Sequence, residues 1–242
     1  MFDQLGLRPD RGVIALLIVY LAGWGALHVE PISSFVVQHF ILVPRRAIGP
    51  EPWQLITSQF FLIRLRMVLG VAVTLLFFGN TMEQMLGAKR LWIVWLVGGF
   101  GGSLAAALVG LVLAPNSPMP GLGAGSALLV VYAIMLSDRR GMLFGSTPVR
   151  VGAIAWFWLG IQALGAVVDM GEGNAVGGIL ELTEMAGGCL AGWWLAHAFK
   201  GGRGASIGVR DSLDRFKLWR LRRRYQVLDG GRKGGKDKRY LN

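Results

Sequence analysis

One serine near the start of an apolar segment is a candidate nucleophile within a membrane. Ser126 lies within Gly121–Leu129, a run of small and apolar residues at the head of a hydrophobic segment. A serine hydroxyl becomes a nucleophile when a base lies within about 3 Å and takes its proton. The chemistry to look for is therefore acyl transfer by a serine, with a histidine or a carboxylate as its base.

The histidines are poorly placed for that role. His28 ends the first apolar segment, His39 lies in the loop that follows, and His197 is near the end of the last segment. His197 is twelve residues beyond Met185, which is about 18 Å along a helix. We interpret all three as interfacial residues.

Glu184 is the carboxylate that the sequence places within an apolar segment. An unpaired charge at that position is costly, so membrane carboxylates usually find partners. We expect Glu184 to be neutral and hydrogen-bonded to Ser126, Thr183 or a water in an outward-facing cavity. The alternatives are a catalytic Ser126–Glu184 pair and a role in holding a client helix or a ligand.

The segment around Ser126 resembles a motif of the rhomboid intramembrane serine proteases. Gly123-Ala124-x-x-Ala127 matches their G-A-S-G-A motif in a register that puts Gly125 at the position of the nucleophilic serine. Ser126 then follows one position late. One residue is about 100° of rotation on a helix, so we expect Ser126 to point away from the nucleophile position.

A second motif lies at the end of the second apolar segment. Residues 79–90 are similar to the family's G-x-x-x-E-x-x-L-G-S-x-R, and the matching residues are Gly79, Glu83, Leu86, Gly87 and Arg90. The resemblance implies that Glu83 tethers neighbouring helices and loops on the cytoplasmic side. Its place near a helix end would let it bond to backbone groups or to Lys89 and Arg90.

Two shorter matches frame the rest of the chain. Trp53-Gln54-x-x-Thr57 is similar to the W-R-x-x-T that opens the family's first luminal loop, with Gln54 in place of arginine. Gly188 and Gly192 lie in a glycine-rich segment that resembles the sixth rhomboid helix, which packs against the fourth. They are four residues apart and share a helix face.

The positions that carry catalysis in the family diverge together. The base histidine corresponds to Met185, and the second-helix asparagine corresponds to Val71. Two histidines of the oxyanion region correspond to Met67 and Leu62. The resemblance therefore implies the rhomboid fold without an intact Ser–His dyad.

Composition indicates an all-α membrane protein. The chain is 53% hydrophobic and 16% charged, and its apolar blocks approach the roughly 20 residues needed to cross a bilayer as a helix. We predict a six-transmembrane-helix rhomboid-like bundle over residues 12–199 after a polar lead at 1–11. The predicted spans are 12–29, 67–86, 91–113, 122–136, 149–168 and 180–199.

The connections predict an interfacial first loop and a turn. Residues 30–66 are too apolar for a solvated loop, so Leu55–Leu65 is expected to lie at the interface with Trp53 as a headgroup-level anchor. Residues 114–121 form an uncharged turn. Cys189 is the single cysteine, which rules out an internal disulfide, and no cofactor or metal site is expected.

The net charge of +11 is concentrated in a basic tail at residues 200–242, which holds 14 Lys/Arg against four Asp. Such a tail favours cytoplasmic N- and C-termini in a plasma membrane of the bacterial inner type. Asp169, Glu172 and Glu181 then lie outside as expected. The basic residues that contradict this topology are Arg45, Arg46, Arg64 and Arg66.

Within the tail, residues 211–228 are predicted to form an amphipathic helix on anionic lipid headgroups. Its apolar positions are Leu218, Leu221, Tyr225 and Leu228. The alternative is a signal that only keeps the tail inside, and nucleic-acid binding is not expected.

Three functions remain open from the sequence. The first is a catalytically inactive rhomboid-like pseudoprotease that binds transmembrane helices of client proteins. The second is an active intramembrane serine endopeptidase with displaced chemistry at Ser126 and Glu184. The third is an unrelated small transporter or structural membrane protein.

Overall fold

The computed structural model describes residues 9–119, 121–137, 139–143 and 147–201. The helices are α1 Arg11–Ala26, α2 Ile32–His39, α3 Pro44–Ala47, α4 Gln54–Thr57, α5 Leu65–Val73, α6 Asn80–Leu86, α7 Ala88–Leu113, α8 Gly123–Met135, α9 Val151–Gly171 and α10 over residues 175–201. A 3₁₀ turn, Ser58–Phe60, follows α4, and a π-helical turn, Thr74–Gly79, joins α5 to α6. Strands β1 Arg140–Leu143 and β2 Thr147–Arg150 pair as an antiparallel hairpin.

Each of the six predicted spans contains a helix. Three of these helices are long and apolar enough to cross a membrane, namely Leu65–Leu86, Ala88–Leu113 and Val151–Gly171. Helices α1 and α8 are apolar but shorter, with 16 and 13 residues. The prediction of helical membrane-spanning segments is therefore confirmed, whereas the count of six spans stays a prediction.

The helix limits differ from the predicted spans by a few residues. Helix α10 has begun by residue 175 rather than 180. The fifth span was expected from residue 149, yet β2 occupies residues 149 and 150 and α9 begins at Val151. The β-hairpin was not foreseen in an all-α protein. Its cause is local, because Pro148 restricts Thr147 to extended backbone and Val149 is β-branched.

Helix α8 is the centre of the bundle. Every residue from Gly123 to Ala133 is buried, as expected for a helix that is apolar on all sides. Helix α7 lies against it through small residues, because a Cβ on Gly98 would come within 2.2 Å of the Ala127 Cβ. Small residues bring the helix backbones close together and so fix the position of α8.

Large apolar side chains cover the outer surface of the bundle. Ile18, Val112, Phe157 and Leu190 are 60%, 83%, 71% and 70% exposed on four different helices. Soluble monomers rarely expose contiguous apolar surfaces of this kind. Their distribution around the bundle indicates a surface that faces lipid.

The segment between α1 and α5 packs onto one end of the bundle. Leu42, Ala47 and Leu55 join a buried apolar cluster with Ala106 and Ala107 of α7. The part expected to be interfacial therefore has a buried inner side, which also includes the fully buried Leu62. The predicted amphipathic helix at 211–228 lies outside the described residues.

Candidate functional site

The Ser126 side chain is fully buried between α8 and α10. Its Oγ lies 2.8 Å from the Gly123 carbonyl oxygen and 3.1 Å from the Met185 carbonyl oxygen. The hydroxyl donates its proton to these backbone acceptors, which cannot take it up as a base would. This geometry makes Ser126 a packing contact between the two helices.

The position of the family's nucleophile is different. Gly125 is buried, but a Cβ built on it would meet no heavy atom within 4 Å. Gly125 therefore has space for a side chain, whereas the Ser126 side chain is packed between α8 and α10.

Apolar side chains occupy the other catalytic positions of the family. Met185, Val71, Met67 and Leu62 are all buried, with exposures between 0% and 8%. Buried thioether and aliphatic groups have no acid–base chemistry to offer at neutral pH. They fill the space that polar side chains take in the family.

Glu184 caps the N-terminus of α8. Its Oε1 accepts hydrogen bonds from the backbone N–H groups of Leu122, at 2.7 Å, and Gly123, at 3.3 Å. The first N–H groups of a helix lack partners within it, and a carboxylate there also interacts favourably with the helix dipole. The expected partners Ser126 and Thr183 were wrong, because Thr183 donates to Ile179 and Ser126 to carbonyl groups.

The histidines bond elsewhere in the described part of the chain. His28 Nδ1 lies 2.9 Å from the Trp24 carbonyl, and His197 Nδ1 lies 2.8 Å from the Trp193 carbonyl, each one turn back on its own helix. His39 lies 3.4 Å from a carboxylate oxygen of Glu51 in the first loop. None of these contacts brings an imidazole to Ser126.

Gly188 and Gly192 lie where α10 touches α8. A Cβ on Gly188 would come within 2.1 Å of the Gly123 carbonyl oxygen, and one on Gly192 within 2.5 Å of the Ala127 carbonyl oxygen. Both obstacles are backbone atoms, which cannot move aside alone. The close contact of α8 with α10 therefore requires glycine at both positions.

Glu83 caps a second helix, at the opposite end of the bundle. Its Oε1 accepts from the Gly12 N–H at 2.8 Å and its Oε2 from the Val13 N–H at 2.7 Å. Glu83 of α6 thereby holds the first turn of α1. Its partners are backbone groups, which was one of the two kinds of partner expected from the sequence. Gly87 ends α6 with a φ of +85°, a conformation that side chains disfavour, and the exposed Arg90 follows in the first turn of α7.

The Trp53, Gln54 and Thr57 side chains organise the first loop. Trp53 Nε1 donates to the His39 carbonyl at 2.9 Å, and Thr57 Oγ1 donates to the Phe40 carbonyl at 3.0 Å. The buried Gln54 accepts from the Val43 N–H at 2.9 Å. All three side chains bond to the same short backbone stretch, so this motif has a structural task here.

Two cavities lie beside α10 near its start, at what we call the outer end of the bundle. The first, of about 290 Å³, is bounded by the chain before α5, by residues 114–119 and by α10. We call the second, of about 400 Å³, the lateral groove because it runs between α5 and α9. Met67 and Glu181 line both cavities.

Polar contacts join α5 to α9 at both limits of the lateral groove. At the outer end, Arg64 and Arg66 both form ion pairs with Oδ2 of Asp169. Deeper in the bundle, Thr74 Oγ1 accepts from Trp158 Nε1 at 3.0 Å and from Gln162 Nε2 at 3.3 Å.

The sequence had missed these contacts. Arg64 and Arg66 were set aside as exceptions to the charge topology, although Asp169 was expected on the same side. Trp158 and Gln162 are four residues apart and so lie on the same helix face, from which a shared polar partner could have been predicted. Glu181 was expected on the outer side, and the structure places it on α10, where it lines both cavities.

The short helix α8 carries the Gly123–Ala127 motif and is buried at the centre of the bundle. Apolar side chains occupy the positions that are polar in rhomboids. These features define a rhomboid-like integral membrane protein. The chain belongs to the family described as eukaryotic integral membrane protein (DUF1751), which matches residues 12–221. It is also similar to RHOMBOID-like protein 6, mitochondrial, of Arabidopsis thaliana, with 31% identity over 90 residues. The match covers 37% of this chain and 27% of that relative.

The resemblance to rhomboids read from the motifs is therefore confirmed, and an unrelated membrane protein is disfavoured. The family description refers to eukaryotic proteins, so it does not support the expected bacterial inner membrane. Membership establishes an integral membrane protein and leaves its activity to be argued from the site.

Proposed function

We propose that this protein is a non-catalytic rhomboid-like membrane protein that binds transmembrane helices of client proteins in the lateral groove. The observation that carries the proposal is the pairing of this groove with a serine whose hydroxyl donates to backbone carbonyls. A protein with this arrangement can hold an apolar helix but has no activated nucleophile with which to cut it.

The lining of the lateral groove suits an apolar guest. Leu69 of α5 and Ile161 of α9 are 58% and 41% exposed, and both line it. Gly70 and Gly165 also line the groove and have no side chain to fill it. Small residues of this kind allow helices in membranes to approach closely. A client helix would replace lipid chains in these contacts.

The topology of the proposal has six spans, with both termini in the cytoplasm. Ion pairs to Asp169 support it, since they account for Arg64 and Arg66 on the outer side. The basic tail would then bind anionic headgroups of the cytoplasmic leaflet, with attraction of about 1 kcal/mol for each basic residue near the surface.

The test uses the full chain in lipid nanodiscs with a defined panel of transmembrane peptides. A photoreactive residue replaces Leu69 or Ile161 in the groove, or Leu190, which is more exposed at 70%, as a control on α10. We expect crosslinks to the peptides from the groove positions and far fewer from the control, with all peptides uncut. Equal crosslinking from all three positions would contradict the groove as the binding site.

The absence of catalysis is checked in the same preparation with a serine-directed fluorophosphonate. We expect no labelling, since the Ser126 hydroxyl is buried and has no base. Peptide cleavage or labelling that disappears in Ser126→Ala would replace this proposal with the active-protease alternative.

A further inference from the structure

Glu181 differs from the other acidic residues of the helical bundle. Glu83 and Glu184 each accept two backbone N–H groups, and Asp169 binds two arginines. Among the described residues, no hydrogen bond or ion pair reaches the Glu181 carboxylate. It is half-buried in the wall that the two outer cavities share.

The cations on the same side are already engaged. Arg64 lines the first cavity and Arg66 lines the lateral groove, but both direct guanidinium nitrogens to Asp169. The first cavity also contains Glu184, whose Oε1 is bound to the start of α8. Arg64 and Arg66 also act on Glu181 electrostatically, but among the described residues neither forms a hydrogen bond or an ion pair with it, so its carboxylate faces the groove without a directly bonded cation.

A carboxylate without a bonded partner in a largely apolar setting is unfavourable, and in membrane proteins such residues mark sites that act on another group. Apart from Arg66, which bonds to Asp169, and Gln162, which bonds to Thr74, most of the lining is apolar and includes Met67 and Leu122. A lysine or arginine fits this arrangement, because its stem can lie along apolar surface while its charged end reaches the carboxylate.

We infer that the lateral groove selects transmembrane helices carrying a lysine or arginine at the depth of Glu181. The inference rests on the proposed client-binding function and specifies the chemistry of the client. Glu181 is six residues into the described helix α10 from residue 175, about 9 Å along its axis. The basic residue of the client should therefore lie in the outer third of its span, one to two turns from its end.

The experiment measures binding of three model peptides to the full chain in nanodiscs of neutral phosphatidylcholine. The peptides share an alanine/leucine transmembrane sequence and carry lysine, methionine or glutamate in the outer third. We expect the lysine peptide to bind roughly three- to thirty-fold more tightly than the methionine peptide, the range of polar couplings between membrane helices.

The variants assign the preference to one carboxylate. Glu181→Gln should abolish the lysine preference, so that the lysine and methionine peptides bind with equal affinity, whereas Glu181→Lys should shift the preference to the glutamate peptide. Glu172→Gln is the matched control, since Glu172 is exposed in the turn between α9 and α10 and lines neither cavity. It should keep the preference of the parent protein.

Each outcome decides the inference. Equal affinity of lysine and methionine peptides for the parent protein would overturn it while leaving client binding intact. A lysine preference that survives Glu181→Gln would overturn it in favour of another acid. Binding of no peptide would overturn the client function as well. Glu181→Gln should melt at or above the temperature of the parent, and a clear loss of stability would show that Glu181 has a structural partner instead.

Discussion

At the scale of single residues, two buried glutamates each accept hydrogen bonds from two backbone N–H groups, but they use their oxygen atoms differently. Glu83 uses both of its oxygens, one for the Gly12 N–H and one for the Val13 N–H. Glu184 uses one oxygen for the N–H groups of both Leu122 and Gly123. A glutamine has a single acceptor oxygen, so it can replace Glu184 more completely than it can replace Glu83.

We therefore expect Glu83→Gln to destabilise the protein more than Glu184→Gln. The amide NH₂ of Gln at position 83 would face a backbone N–H, and a buried donor without an acceptor costs about 1–3 kcal/mol. At position 184 the single amide oxygen of Gln can still accept from both backbone N–H groups, so we expect a smaller loss of stability. Thermal unfolding in one detergent compares the two variants directly. Equal melting temperatures would contradict the assigned bonds.

At the scale of helices, contact through glycine decides what Ser126 can do. Gly188 brings the α10 backbone so close to α8 that a Cβ there would lie 2.3 Å from the Ser126 hydroxyl oxygen. The hydroxyl is thus held between two backbones and donates to their carbonyls. The same contact leaves Gly125, one residue earlier, facing open space.

Alanine substitutions should separate contact glycines from free ones. Gly188→Ala and Gly192→Ala place a Cβ against backbone atoms, and overpacking of this kind costs about 1–3 kcal/mol. Gly160→Ala on α9 is the control, because a Cβ there meets nothing within 4 Å and alanine favours a helix by about 0.5–1 kcal/mol. We expect melting temperatures to fall for the first two variants and to hold or rise for the control. A contact variant as stable as the parent would show that α8 and α10 are less closely packed.

At the scale of the whole molecule, the α5–α9 seam differs from the core of the bundle. The core of the bundle is closed by glycine contacts and helix caps, whereas this seam encloses the lateral groove between two polar clusters. Asp169 forms the outer cluster together with Arg64 and Arg66. Removal of its carboxylate should loosen the outer end of the seam without touching α8.

We expect Asp169→Ala to increase exposure of the groove. A cysteine at Gly165 reports on it, because a Cβ there has one neighbour, Arg66 at 3.8 Å, and therefore fits. In a Cys189→Ala background, thiol labelling at position 165 should speed up about tenfold, since hydrogen bonds to charged groups contribute about 1.5–3 kcal/mol. Glu172→Ala is the control. An unchanged labelling rate in Asp169→Ala would show that the ion pairs do not hold the seam closed.

The sequence by itself determined the positions of the helices and the family. Apolar blocks must become helices in a bilayer, because each backbone polar group there needs a partner within its own segment. The motifs around Gly123 and Glu83 depend on spacing along the chain, so they were readable without coordinates. The limits of α9 and α10 were less accurate, since a hairpin and an early helix start depend on local turns.

Only the tertiary structure decided which atoms these residues meet. The bonds from Glu184 to Leu122, and from Asp169 to Arg64 and Arg66, join residues 62 to 105 positions apart. No spacing rule predicts such pairs, because they arise when separate helices pack. For the same reason the sequence placed Glu181 on the outer side without indicating its surroundings. The fold places its carboxylate in the lining of two cavities, where no side chain forms a hydrogen bond or an ion pair with it among the described residues.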